Sequence, residues 1–203
     1  APVPEGVELE TAAAVMLQGL TAHYLTTSTY VVGPGTVALV HAAAGGVGQL
    51  LVQLVTARGG SVVATAGSAG KCATAASLGA RHVIDYREVD DLAAEVRRVT
   101  GGRGVDVVYD GVGRDTFDAS LASLRPRGTL ALFGGASGQV APFDLQRLNA
   151  AGSLFVTRPS LGHHIATPEE LRWRADEVLG AVADGSLHVH VGGRYPLADA
   201  ARA

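Results

Sequence analysis

A chain of 203 residues with 16 basic and 19 acidic side chains is long enough to bury a substantial core, and its formal charge of −3 leaves no basic surplus for gripping nucleic acid. Its one cysteine, Cys72, excludes an intrachain disulfide and a thiolate zinc site, and suits a reducing, cytoplasmic compartment. The opening Ala1-Pro-Val-Pro-Glu-Gly has neither the basic nor the apolar region of a signal peptide.

Residues 1–8 read as an extended, proline-bearing lead. From Glu10 to Leu25 the apolar residues Ala14, Val15, Leu17 and Leu20 alternate with small ones, which predicts a helix packed closely on a neighbour. Gly33-Pro34-Gly35 then stops anything helical. Residues 37–54 predict a short buried strand, a glycine turn and a helix that starts inside the turn. Ala43-x-Gly45-x-x-Gly48 is a dinucleotide fingerprint with alanine in its first place: Gly45 lets the backbone approach a pyrophosphate, and Gly48 lets the helix pack tightly on the strand. The free N–H groups of the helix's first turn face the anion. Residues 36–57 carry no formal charge and have the length of a membrane span, but Gly45, Gly46 and Gly48 interrupt them, so they read as a strand buried on both faces and no membrane partner is expected.

Further strands are predicted at Ser61–Ala66, His82–Asp85, Val105–Tyr109, Gly128–Phe133 and Ser153–Thr157. Helices fall at about 69–78, 90–100, 115–124 (with Asp115 as its N-cap) and 145–150. Six strands with helices in most gaps specify an α/β fold, a doubly wound parallel six-stranded sheet of Rossmann type, over residues 26–165. A helix at 169–183, a strand at Leu187–Tyr195 outside that sheet, and one helical turn at 198–203 make up a closing segment, 166–203.

The choice of dinucleotide turns on an absence. No aspartate or glutamate occurs between Glu10 and Asp85, so the place where an NAD-binding fold puts a carboxylate on the ribose reads Ala64-Thr-Ala-Gly-Ser. Lys71, the only lysine, stands just beyond, in the first turn of the next helix, where a point charge beside helix amides suits a phosphate monoester. NADP(H) is therefore expected over NAD(H).

The runs Leu17-Gln-Gly-Leu-Thr-Ala-His-Tyr, His41-Ala-Ala-Ala-Gly-Gly-Val-Gly, Val83-Ile-Asp-Tyr-Arg-Glu, Val108-Tyr-Asp-Gly-Val-Gly-Arg-Asp-Thr and Val156-Thr-Arg-Pro-Ser-Leu closely resemble the NADPH:quinone oxidoreductases, in the zeta-crystallin-like, zinc-independent branch of the medium-chain dehydrogenase/reductase superfamily. The resemblance covers nearly the whole chain. It implies hydride transfer from NADPH to a quinone, with an activated alkene as the alternative acceptor and a coenzyme-binding module without turnover as the alternative role. It implies that Gly46 and Val47 meet the pyrophosphate. Gly67, Ser68, Lys71 and Tyr86 would hold the 2′-phosphate end, and Gly111 would border the coenzyme. Phe133, Gly134, Gly135 and Ala136, with Pro159, Ser160 and Leu161, would line the nicotinamide side, and Tyr24 would approach it from the leading helix. Family members carry a separate barrel-like catalytic domain and a strand returning to it, so residues 1–25 and 166–203 are expected to be its remnants. A homodimer through the sixth strand, if that strand is an exposed edge, is the expected assembly.

Other groups have plainer readings. Tyr-x-x-x-Lys, the mark of a short-chain dehydrogenase, is absent because no tyrosine lies four residues before Lys71. His188-x-His190 has no third ligand nearby, so no metal is expected. His163-His164 reads as an exposed loop pair and His41 as a partner for a backbone group. Arg97, Arg98 and Arg103 read as a solvated basic face, and Cys72 as a small helix residue.

Overall fold

The computed structural model describes residues 1–202. Six strands, β1 (Val37–Val40), β2 (Ser61–Ala66), β3 (His82–Asp85), β4 (Val105–Asp110), β5 (Leu124–Leu132) and β6 (Phe155–Thr157), form one sheet in the order β3-β2-β1-β4-β5-β6. Every neighbouring pair is parallel. The helices are α1 (Leu9–Tyr24), α2 (Gly46–Ala57), α3 (Ala69–Ser77), α4 (Leu92–Val99), α5 (Phe117–Ser123), α6 (Gln146–Ala150) and α7 (Pro168–Ala183).

Alternate residues along each strand point to opposite faces, and here both faces are covered. Ala38, Val40, Val62, Ala64, Val107 and Tyr109 join a core with Leu50, Leu51 and Val55 of α2, Val15 of α1, and Val178 and Leu179 of α7. Leu39, Val63, Val108, Leu130 and Leu132 join the opposite core with Val96 of α4 and with Phe117 and Leu121 of α5. Burial on both sides is why these strands read as continuous apolar runs. It also explains residues 36–57, which resolve into a four-residue strand, a turn and a twelve-residue helix. Among the described residues no helix is long and apolar enough to cross a membrane.

The ends of the chain differ most from expectation. In α1 the buried face is Ala12, Val15, Gly19, Leu20 and Ala22, while Leu17 is exposed. Contact with α7 depends on Gly19, where an added Cβ would lie 2.7 Å from Val178 Cγ1. The helix continues into a π-helical turn, Leu25–Thr29. Both α1 and α7 share the core of the sheet's first face. β5 begins at Leu124, four residues before the expected Gly128, and its register against β4 slips between Val105 and Val107. Residues 187–195, expected as a strand, form none: no strand lies alongside them, and the ties at His188 are its N–H on Gln53 Oε1 (2.8 Å) and its carbonyl oxygen accepting from Gln53 Nε2 (3.0 Å). The last element is a 3₁₀ turn, Leu197–Arg202, and Ala203 of the expected helical turn lies outside the described residues.

Two glycines separate close approach from mere flexibility. A Cβ on Gly48 would sit 2.3 Å from the Ala42 carbonyl oxygen and 2.8 Å from Ala43 Cα, both backbone atoms, whereas nothing lies within 4 Å of one on Gly180 inside α7. Gly48→Ala is expected to destabilise the chain by about 1–3 kcal/mol through overpacking. Gly180→Ala is expected to stabilise it by about 0.5–1 kcal/mol through helix propensity. Urea midpoints for the two variants, moving in opposite directions, check both.

Candidate functional site

The carboxyl ends of β1, β2, β3 and β4 surround a cavity of about 840 Å³. β1 and β4 are sheet neighbours whose outgoing connections run to opposite faces, the arrangement that opens a crevice in doubly wound sheets. His41 to Gly45 supply one wall, Thr65 to Lys71 the next, Tyr86 to Ala93 a third, and Val112 to Ala122 the last.

The turn after β1 is tight. Ala42 has φ +49°, and the Gly45 N–H donates to its carbonyl at 2.8 Å. Gly45 is the N-cap of α2 and, having no side chain, leaves the first-turn amides of Gly46, Val47 and Gly48 uncapped at an open helix terminus. Gly45 and Gly46 are both exposed. After β2, the Ser68 hydroxyl caps α3 by accepting from the Lys71 N–H at 3.3 Å. Gly67 lets the exposed Tyr86 ring lie against the turn, since a Cβ there would be 2.3 Å from the phenol oxygen. The exposed Lys71 side chain, the Tyr86 hydroxyl and the α3 terminus therefore share one corner of the cavity.

Asp110, fully buried at the end of β4, holds the opposite corner. Its Oδ1 accepts from the N–H groups of Val112 (2.8 Å) and Gly113 (3.0 Å). Both oxygens are within reach of the Thr116 hydroxyl, and Oδ2 accepts from Ser120 at 2.7 Å. Ser120 Oγ lies 3.0 Å from His41 Nε2, and His41 Nδ1 lies 2.9 Å from Thr65 Oγ1. The single Ser120 proton goes to the carboxylate, so His41 Nε2 must be the donor and Nδ1 the acceptor of the Thr65 proton. Burial pushes the His41 pKa down, against the opposing pull of Asp110. The imidazole is thus a neutral link between β1, β2 and α5.

Of the residues expected at a site, Gly45, Gly67, Lys71 and Tyr86 line this cavity. Gly46, Val47 and Gly48 form the first turn of α2 beside it, and Ser68 forms the cap beneath Lys71. The others stand along the second half of the sheet. A Cβ on Gly134 would meet the Gly111 carbonyl oxygen at 2.3 Å, and one on Gly111 would meet the Phe133 ring at 3.0 Å. The Ala136 N–H donates to Gly111 O at 3.2 Å, and Gly135 is exposed in the same loop. Pro159 and Ser160 follow β6, and Leu161 opens a 3₁₀ turn ending at His164. Tyr24 is 1% exposed, with the half-buried His164 ring stacked on it at 4.3 Å.

Several local expectations need correction. Asp115 is not the cap of α5: it is exposed and pairs with Arg114, while Thr116 takes the N-cap place and Asp110 satisfies the loop. The His41 ring nitrogens meet two hydroxyls, of Thr65 and Ser120. Arg97 donates to the carbonyls of Ala122 and Leu124 and Arg103 pairs with the buried Asp106, so these two tie elements together, while Arg98 stays exposed and pairs with Glu95 on its own helix. Carboxylates do reach the cavity wall: Asp90 and Asp91 arrive from the segment after β3, Asp115 from the loop after β4 and Asp118 from the first turn of α5. Asp91 caps α4 and Asp118 pairs with Arg147. The Asp110–Ser120–His41–Thr65 chain went unread in the sequence. Its one signal is an aspartate that ends an apolar strand just before Gly-x-Gly.

Comparison with known proteins adds a family. The model of the zinc-binding dehydrogenases matches residues 46–176. A quinone oxidoreductase of Pseudomonas aeruginosa is 44% identical over 201 residues, covering 99% of this chain and 62% of that protein. A 2-haloacrylate reductase of Burkholderia sp is 43% identical over 204 residues, covering 99% of this chain and 61% of its own length. The structure of mycobacterial Rv1454c complexed with NADPH superposes with a TM-score of 0.96 at 56% identity, covering all of this chain and 62% of that one. The chain thus spans somewhat under two thirds of the length of the relatives it matches.

The buried imidazoles have a measurable signature. Burial lowers the pKa of His23, His41 and His164 in the folded chain, so on acidification the unfolded chain takes up protons first. Stability is full above the unfolded value of about 6.5 and falls as pH drops below it, by at most about 1.4 kcal/mol per pH unit for each group. Urea unfolding between pH 7 and 5 should show this loss, and His41→Gln should flatten it; an equal slope in the variant would count against a neutral His41.

Proposed function

The chain belongs to the zinc-binding dehydrogenase family, and from that premise we propose that it is the coenzyme-binding portion of an NADPH-dependent quinone reductase. One observation carries the reading. A cavity at the sheet's switch point gathers an uncapped helix terminus and the lone lysine, and the segment leading from β2 into α3 contains no acid. The name of the Pseudomonas relative and the NADPH complex of the mycobacterial neighbour support it.

In this reading the amides of Gly46, Val47 and Gly48 hold the pyrophosphate at the positive end of α2. Lys71, Ser68 and Tyr86 take the 2′-phosphate: Lys71 as a point charge, the two hydroxyls as neutral donors. Gly111, Phe133 to Ala136 and Pro159 to Leu161 border the nicotinamide, with Tyr24 behind them. Bound NADPH supplies the hydride for an electrophilic acceptor, and these residues orient it. Zinc does not fit what this chain offers. Among the described residues no three His, Cys, Asp or Glu side chains group closely enough to hold a metal, and the one cysteine stands alone in α3.

A second acceptor class, activated alkenes, is favoured by the 43% identity to a 2-haloacrylate reductase. The free, half-buried Cys72 supports a reducing, cytoplasmic setting. β6 ends the sheet with Phe155 62% exposed, which supports a twofold dimer through that edge. Light scattering at micromolar concentration should give twice the chain mass, and Phe155→Lys should shift it to the monomer.

Lys71→Ala tests the coenzyme. Losing one charged contact to phosphate costs about 1.5–3 kcal/mol, so NADPH should bind on the order of ten- to a hundredfold more weakly while NADH affinity stays unchanged. An unaltered NADPH/NADH ratio in calorimetry would remove the assignment.

A further inference from the structure

The turn that follows β6 is held by one buried side chain. Arg174 of α7 is 2% exposed. Its Nε donates to the His164 carbonyl at 2.7 Å. Nη1 lies 3.1 Å from His23 Nδ1 and 3.2 Å from Thr27 Oγ1, and Nη2 lies 3.0 Å from Ser28 Oγ. Its guanidinium carbon stands 4.5 Å from the Trp173 ring centre. None of the ion pairs among the described residues includes Arg174; Glu170 and Glu177 act on it only at longer range. A cation this deep is tolerable only if its donors are met by groups fixed in place. All of those acceptors are neutral, and they come from the end of α1, the π-helical turn and the turn after β6.

We propose that Arg174 is a positioning residue for the nicotinamide end of the coenzyme, fixing the segment from Pro159 to His164 through its bond to the His164 carbonyl. This rests on the coenzyme reading above. A dinucleotide lying across a doubly wound sheet puts its adenosine on the β1–β3 half, which supplies three of the cavity's four walls, and its nicotinamide on the β4–β6 half. Pro159 to Leu161 follow β6 after Arg158, and Leu161 and Phe133 both pack against the core cluster that contains Tyr24. Phe133 in turn leans on Gly111. His164 is gripped twice: its carbonyl by Arg174, and its ring by the stack on Tyr24.

The rest of the neighbourhood is arranged around the guanidinium. The wider π-helical turn carries both the Thr27 and the Ser28 hydroxyls to it, a distortion common where helices serve a site. Because Arg174 donates to His23 Nδ1, the His23 proton sits on Nε2 and is given to Glu177 Oε2 at 2.7 Å. Glu177 also accepts from Trp173 Nε1, which fixes the indole beside the guanidinium. Lysine at 174 keeps the charge but lacks the planar fan of donors that reaches separate segments.

Two ligands separate the halves of the cleft: NADPH, and 2′,5′-ADP, which has the adenosine and 2′-phosphate without nicotinamide. In the 203-residue chain, Arg174→Lys should bind 2′,5′-ADP within about twofold of wild type. It should lose about tenfold in NADPH affinity, the scale of one lost preorganised contact, together with the rise in reduced-nicotinamide fluorescence on binding. Parallel loss of both ligands, or no change in either, overturns the positioning role while leaving the coenzyme reading intact. Wild-type chain that binds neither ligand overturns the coenzyme reading itself. Should the lysine variant fail to fold, Ser28→Ala at an exposed position carries the test: a selective loss of about threefold for NADPH supports the role, and equal or absent losses reject it.

Discussion

A carboxylate with no cation beside it fixes the switch point of this sheet. Asp110 ends a strand whose every residue is buried, and it is stabilised by two backbone amides and two hydroxyls. Hydrogen bonds to a charged acceptor are stronger than neutral ones, and losing any of them would leave buried charge uncompensated. The geometry of the loop after β4 follows from these bonds. Gly111 can then approach Gly134, Gly113 can adopt φ +98° against Gly138, and Ser120 of α5 reaches back to the other oxygen of the same carboxylate. Through Ser120 and His41 the constraint extends to β1 and β2, so the strand ends that border the cavity are tied to one another by side chains as well as by the sheet ladder.

Charge is distributed unevenly around that cavity. Lys71 stands alone near the turn after β2, while four aspartates lie along the walls contributed by later loops. Three of the four are engaged: Asp91 with the Ala94 amide of α4, Asp118 with Arg147 and Asp115 with Arg114. Asp90 and Asp91 share with Tyr86 the wall next to the positive corner, and Asp115 and Asp118 lie on the wall after β4. An anion entering that corner meets helix amides and an ammonium.

The strands and crossover helices were legible because their signals are local. A run such as Val105-Asp-Val-Val-Tyr fits only a strand buried on both faces, and Gly59-Gly60 or Gly101-Gly102 marks where a helix must end. β2 and β3 begin and end where composition alone puts them. Long-range pairing was not legible. Nothing in the sequence joins His41 to Ser120, 79 residues on, or Arg174 to His23, 151 residues back. Leu187 to Tyr195 has strand-like composition, yet a strand exists only beside a partner, and a partner is a property of the fold. Asp115 had the right residue type and place for a cap, but the more buried Asp110 supplied the bonds the loop needed. The absence of acid after β2 was read correctly as a local fact; that acids from elsewhere would share the cavity required the topology.

The floor of the cavity has a built-in direction. Each hydroxyl from Thr65 onward owns one proton, and each proton is already pledged to the next group toward Asp110. Thr65 consequently has only lone pairs left for anything that settles beside β2. A guest's alcohol or amino hydrogen can be accepted by that oxygen, whereas the hydroxyl has no proton left for another acceptor, and the buried negative charge at the end of the chain sets that preference without ever touching the guest.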